Sequence, residues 1–189
     1  MNTTEYTQWL KEALNGEFSG SGEPIIDEDG TIFNEDYRVL YALGEEIREY
    51  RVPDDVEVIS REACHCREKL MAFSMPDTVL HIGEGAFAGC HWLQTLRISH
   101  SLEVIPRDAF TGCEWLSRVF IPASVREIGP EAFAYCGHLS EVTFRGIPES
   151  ISPLAFFECP YLYYIYIPKG SREQFLRLLP AYDKQLIEQ

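Results

Sequence analysis

The chain has 189 residues, 46% of them hydrophobic, with 30 acidic against 16 basic side chains and a formal net charge of −14. That length supports one well-cored domain with at most a small appendage, and the apolar share excludes global disorder. The acidity excludes nucleic acid and anionic membrane as natural partners, since both demand basic surface, and no run approaches the ~18 apolar residues of a membrane span.

The acid is concentrated at the front: residues 1–52 hold 12 acids and 4 bases, residues 53–167 hold 15 and 8, and residues 168–189 hold 3 and 4. Such a front reads first as a solvated surface that keeps the protein soluble, with attraction of a basic partner as the alternative. The opening MNTTEYTQWLKEALNG lacks the basic and apolar regions of a signal peptide. If Met1 is the native start, a cytoplasmic protein is expected; a trimmed leader would make it secreted or cell-surface.

Residues 4–14 read as an amphipathic helix with Tyr6, Trp9, Leu10, Ala13 and Leu14 on one stripe and Gly16 as its stop. The segment NGEFSGSGEP (15–24) reads as a flexible connection. The helix either folds back over the first repeat or serves as a tethered binding helix, and the exposed end of the repeats that follow favours a cap. The run DEDGTIFNED (27–36) is shaped like a calcium loop, but Thr31 and Ile32 stand where a ligand and a glycine are needed.

From residue 53 the chain falls into five rows of 23 without insertion: 53–75, 76–98, 99–121, 122–144 and 145–167. Column 7 is Ile59, Ile82, Ile105, Ile128, Ile151; column 11 is Ala63, Ala86, Ala109, Ala132, Ala155. Column 12 is Cys64, then Phe87, Phe110, Phe133, Phe156, and column 18 is Leu70, Leu93, Leu116, Leu139, Leu162. Each row ends as L-x-x-L-x-L, for example Leu93-Gln-Thr-Leu96-Arg-Ile98, a strand whose alternate residues face a core. One row cannot bury its apolar edge alone, so the rows are expected to stack as a right-handed solenoid. Its strands would line one face, with the Ala-Phe segment forming a short helical turn opposite.

Rows such as IPASVREIGPEAFAYCGHLSEVTF resemble the BspA-like, or treponemal-type, leucine-rich repeats of bacteria, whose typical row runs I-P-x-x-V-x-x-I-G-x-x-A-F-x-x-C-x-x-L-x-x-V-x-I. The resemblance implies an α/β solenoid, a leucine-rich-repeat superhelix with helical caps. Its divisions would be 1–24 helix and linker, 25–52 degenerate leading repeat, 53–167 five repeats and 168–189 closing helix. In the last, Ser171 with Gln174 reads as a capping box for a helix through Leu179, stopped by Pro180, with Phe175, Leu178 and Leu179 sealing the final row. The family resemblance implies a binding scaffold without catalytic residues.

Two columns depart from that pattern. Column 3, where many leucine-rich repeats carry Asn or Cys, is Asp55, Thr78, Ser101, Ser124 and Ile147, and the oxygen-bearing side chains are expected to satisfy the turn. Column 17, normally small and polar, is Lys69, Trp92, Trp115, His138 and Tyr161.

Candidate chemistry is thin. Cys90, Cys113, Cys136 and Cys159 share column 15 between the Phe and Leu columns, where a buried thiol packs as a small hydrophobe, and this is expected over disulfides. Cys64-His65-Cys66 lacks a second ligand pair for zinc. GEGAFAG (83–89) has the wrong spacing for a nucleotide loop, and no Ser-His-Asp set or H-E-x-x-H appears. No metal, cofactor or enzymatic activity is expected.

The outward columns 20 and 22 turn aromatic toward the last row. With column 17 they give a predicted partner surface of Trp92, Arg97, Trp115, Arg118, Phe120, Glu141, Tyr161, Tyr164 and Tyr166. Trp92 and Trp115 are either rim anchors or a lid over the Phe column. The function expected is a non-catalytic protein-interaction scaffold, with a basic protein as one candidate partner. The alternative is a surface adhesin-type module for host protein or glycan, its aromatic end serving as a sugar platform.

Overall fold

The computed structural model describes residues 3–17 and 23–189. Each row makes one turn of a parallel solenoid and contributes a strand to each of two stacks. The long strands Glu49–Arg51, Ala72–Ser74, Thr95–Arg97, Arg118–Ile121, Glu141–Phe144 and Tyr164–Ile167 fall on the L-x-x-L-x-L segments. They pair in register one row apart: Ala72 faces Thr95, Arg118 faces Glu141, and Glu141 faces Tyr164. Alternation fixes that register. Leu96, Val119, Val142 and Ile165 are buried while Arg118, Phe120 and Tyr164 are exposed, and a one-residue slip would exchange the two sets.

The second stack was not anticipated. Two-residue strands Val58–Ile59, His81–Ile82, Val104–Ile105, Glu127–Ile128 and Ser150–Ile151 carry the buried isoleucines of column 7. Nor is the Ala-Phe segment a helical turn. Each of the first four rows pivots on two left-handed residues, first at Glu62, Gly85, Asp108 or Glu131 and then at Cys66, Gly89, Gly112 or Tyr135; the fifth retains the second, Glu158. Left-handed residues cannot propagate an α-helix. The peptide groups they release reach the next row instead: Phe87 N–H donates to Ala109 O, Phe110 to Ala132 O and Phe133 to Ala155 O, each at 2.8 Å.

The core is a set of like-on-like columns. Phe87, Phe110, Phe133 and Phe156 stack at centroid spacings of 5.1, 5.1 and 5.6 Å, and Phe73 closes the stack edge-on where Cys64 replaces phenylalanine. The column-15 thiols are free. Each donates to the column-12 carbonyl of the preceding row: Cys90 to Cys64 O at 2.9 Å, Cys113 to Phe87 O at 3.4 Å, Cys136 to Phe110 O at 3.4 Å and Cys159 to Phe133 O at 3.0 Å. Column 3 does not act as expected. The turn after each strand closes through backbone, as in Val56 N–H to Pro53 O and Val125 N–H to Pro122 O, both 3.2 Å, and the Ser124 hydroxyl is buried without a partner.

At the front, the helix Thr3–Asn15 lays Trp9, Leu10, Ala13 and Leu14 against Val39, Tyr41 and Val58, on the outer side of the short strands. Ser60 Oγ and Arg61 N–H anchor it by donating to Ala13 O and Leu14 O at 2.5 and 2.7 Å. The Tyr6 side chain and residues 18–22 of the connection lie outside the described part. The leading row opens with the antiparallel strands Ile25–Ile26 and Ile32–Phe33, which join Val39–Ala42 and thereby the short-strand stack.

The far end differs from its sequence reading. The helix spans Arg172–Leu178, and Ser171 does not cap it; its hydroxyl donates to Pro168 O at 2.5 Å. Phe175 and Leu179 are buried, whereas Leu178 is half-buried. Beyond a 3₁₀ turn, Leu186–Glu188 adds a seventh long strand beside Tyr164–Ile167. Arg172 holds it by donating to Leu186 O and Asp183 O, both 2.9 Å.

Both stacks are interrupted at one place. Among the described residues no ladder joins Thr95–Arg97 to Arg118–Ile121, or His81–Ile82 to Val104–Ile105. Part of the cause is legible in column 8. Gly83, Gly129 and Ser152 donate N–H to Ile59, Ile105 and Ile128 at 2.7, 2.8 and 2.8 Å, but row three has Pro106, which has no N–H. The two rows stay joined through their outer turns, where Gly85 N–H reaches Arg107 O at 3.1 Å and Gly89 N–H reaches Thr111 O at 2.8 Å.

Candidate functional site

Column 17 sits at the turn just before each long strand, so its side chains recur at the row spacing of roughly 4.8 Å. That spacing suits flat rings lying face to face. Trp92 and Trp115 stack with centroids 5.4 Å apart and planes 6° from parallel, and Trp115 stacks on His138 at 4.5 Å and 13°. Trp92 and Trp115 remain 49% and 41% exposed, while the Phe column beneath is sealed by its own stacking. They therefore form a rim and not a lid. Backbone sets the pose: Trp115 N–H donates to His91 O at 3.0 Å and His138 N–H to Glu114 O at 2.9 Å. The His138 Nδ1 also lies 2.9 Å from Glu114 O, which fixes the ring over Trp115.

The stack ends at His138, and the aromatic surface continues differently. Tyr161 and Tyr163 are tilted at 6.1 Å, Tyr163 meets Tyr164 edge-on at 6.4 Å, and Tyr164 lies over Tyr166 at 6.2 Å. Tyr161, Tyr163 and Tyr164 are exposed and Tyr166 is half-buried.

The outer face of the long strands carries the predicted charges, already partly neutralised. Arg118 pairs with Glu141 at 3.4 Å. Arg97 turns back to the preceding turn, donating to Met75 O at the end of row one and to Asp77 of its own row at 3.0 Å. Asp77 also accepts from the His100 backbone N–H at 3.1 Å, which with the imidazole and Arg97 holds its carboxyl below the usual range. Arg97 and Phe120 flank the interruption between rows two and three. There a cavity of about 260 Å³ opens, bordered also by His100, Pro122 and Arg145. The Arg145 guanidinium lies 5.8 Å above the Phe120 ring, which is 52% exposed.

All nine predicted residues thus lie on the rim or the long-strand face, in three groups: the tryptophans, the Arg97–Arg118–Phe120–Glu141 floor and the tyrosines. His138 and Arg145 were overlooked. Histidine was visible in the tryptophan column, and Arg145 stands in a column that is otherwise Pro53, Pro76, Ser99 and Pro122. Among the described residues no group of three or more His, Cys, Asp or Glu could hold a metal ion, and no helix is long and apolar enough to cross a membrane. Cys64, Cys90 and Cys113 are buried, and desolvation pushes their thiols up, Cys90 to about 12.

In-register parallel strands repeated every 23 residues, over a core of Ile, Ala, Phe and Leu columns, define a leucine-rich-repeat solenoid, a fold that presents surface for interaction. The model of the BspA type leucine rich repeat region matches residues 48–174 in six copies, and the chain belongs to that family. Among solved structures, a leucine rich cell surface protein from Faecalibacterium prausnitzii is similar with TM-score 0.76 and 26% identity over 84% of this chain and 43% of its own. The pneumococcal vaccine antigen PcpA gives 0.70 at 18% identity over 85% and 46%, and a leucine rich repeat protein of T. pallidum gives 0.63 at 22% over 88% and 77%. The chain spans less than half the length of the first two. No curated protein matches.

Proposed function

We propose that this protein is a non-catalytic protein-interaction module that binds through the column-17 rim and the adjoining long-strand face. The observation that carries this is the exposed three-ring stack Trp92–Trp115–His138. Stacked rings hold each other in place before binding, so a partner gains large aromatic contact without the cost of ordering them. The basic-partner reading attaches to the acidic front of the chain, because the long-strand face is where Arg51, Arg97 and Arg118 project. The test is capture of a partner from the native host on the full chain, followed by affinity measurement. Trp115→Ala, which removes the central ring, should cost at least about 2 kcal/mol, or roughly 30-fold in Kd. An unchanged Kd for both Trp92→Ala and Trp115→Ala refutes the assignment.

A second reading is favoured by the likeness to the leucine rich cell surface protein: a surface-displayed adhesin-type module whose ligand is host protein or glycan. The closed stack speaks against a sugar platform at Trp115, since both its faces are covered, but the tilted tyrosines leave ring surface open. Glycan-array binding abolished by Tyr161→Ala and Tyr164→Ala would establish this reading, and a blank array would remove the glycan ligand.

A further inference from the structure

The interruption of both strand stacks is confined to one pair of rows, and on the long-strand face it coincides with a niche lined by basic side chains and no acid. Row two contributes Leu96, Arg97 and Ile98 to the cavity, and the rows beyond contribute His100, Phe120, Pro122 and Arg145. Two guanidiniums and an imidazole thus border about 260 Å³ in a chain of net charge −14. A single acid answers them. Asp77 takes Arg97 at 3.0 Å and His100 at 3.3 Å, which leaves Arg145 without an acidic partner among the described residues. The Arg145 guanidinium, 5.8 Å over the Phe120 ring, sets a planar fork of donors beside an apolar wall.

From this geometry we infer that the niche is a carboxylate site, which seats an Asp or Glu side chain of the bound protein against Arg145 while a neighbouring apolar residue covers Phe120. The inference rests on the protein-interaction reading above. Charge complementarity selects the occupant: a basic side chain would meet two guanidiniums, and a neutral one would leave Arg145 unanswered. Volume agrees, being below the ~300–1,000 Å³ of sites for drug-sized ligands and suited to one side chain. Arg97 also lines a second cavity of about 460 Å³, with Glu49, Arg51, Ala72, Ser74 and Thr95, on the same strand face.

The test uses a phage-displayed library of random 12-residue peptides panned on the full chain, with synthetic copies of the enriched peptides titrated afterwards. Enriched peptides should carry Asp or Glu beside an aromatic or aliphatic residue. Their Kd should rise at least tenfold with Arg145→Ala, further with Arg145→Glu, and equally when the peptide acid becomes its amide; Arg145→Lys should recover part of the loss. Peptides lost with Trp115→Ala but within twofold of wild type with Arg145→Glu would overturn the carboxylate site and leave the interaction surface standing. Peptides indifferent to both variants would overturn both. A library that yields no enriched acid-bearing peptide also overturns the site. Arg145 is exposed, so its variants should fold, and unchanged circular dichroism checks this.

Discussion

Gly83→Ala isolates how closely the rows approach. A Cβ built on Gly83 would lie 2.2 Å from Arg61 N, 2.6 Å from Arg61 Cα and 2.7 Å from Ser60 C, all backbone of the preceding row. Since ordinary contact begins near 3.4 Å, one methyl must push two rows of main chain about an ångström apart. No side chain can swing aside to absorb it. The bonds under load are Gly83 N–H to Ile59 O at 2.7 Å and Glu62 N–H to Glu84 O at 3.2 Å. Overpacking costs typically about 1–3 kcal/mol and each weakened bond about 1, offset by roughly 0.4–1 from the reduced entropy of the unfolded chain. The expected net loss is about 2–4 kcal/mol. Gly137 is the matched control, because a Cβ there meets nothing within 4 Å, and Gly137→Ala should leave stability unchanged or raise it slightly. Urea unfolding followed by the fluorescence of Trp92 and Trp115 reads both. A Gly83→Ala midpoint equal to wild type, or equal destabilisation by the two variants, refutes the reasoning.

The buried thiols make stability fall in alkali. Burial keeps Cys64, Cys90 and Cys113 protonated well past the ordinary 9.0, so unfolding above that pH releases protons; stability is full below pH 9 and declines as pH rises toward about 12. Under reducing conditions the urea midpoint should drop between about pH 7.5 and about pH 10, and a constant midpoint contradicts the prediction. The same packing predicts that a thiol reagent modifies exposed Cys66 first, then half-buried Cys159, and the other four only on unfolding; early loss of Cys113 would count against it. Arg172→Ala removes the donors that hold Leu186 O and Asp183 O, and should cost the closing strand about 1–3 kcal/mol of local stability. Hydrogen exchange at Ile187 and Gln189 should accelerate, and unchanged protection would show that the strand needs no such clamp.

Legibility in the sequence followed periodicity. Columns 7, 11, 12 and 18 announced the core because a 23-residue period repeats the same burial in every row. The short strands were hidden, since two residues show no alternation and only their isoleucine stood out. The Ala-Phe-x-x-Cys spacing imitates a helix, and it misled because the left-handed pivots at Asp108 or Tyr135 are backbone facts that side chains other than glycine do not advertise. The closing strand Leu186–Glu188 follows no repeat and is placed by Arg172, a tertiary contact. The rim was half visible. Aromatics in one column imply neighbours, but whether they stand out or fold over is decided by the stacking of Trp92, Trp115 and His138 on one another. In the interruption, Pro106 was plain in column 8 among Ser and Gly, and its meaning came only with knowledge of which N–H groups cross between rows.

The ion pairs of this solenoid bear on how such chains grow. Glu46–Lys69, Arg118–Glu141 and Arg126–Glu149 all join residues 23 apart, each a column position meeting its own counterpart in the adjacent row. Inside, identity is rewarded, since phenylalanine stacks well on phenylalanine. Outside, identity of charge is penalised: a duplicated copy of residues 122–144 would set Arg126 on Arg126 roughly 4.8 Å away. Newly copied rows must therefore diverge on their surface while their interior stays fixed. The faithful core and the heterogeneous exterior of this chain are both what stacking in register demands of repeats born by duplication.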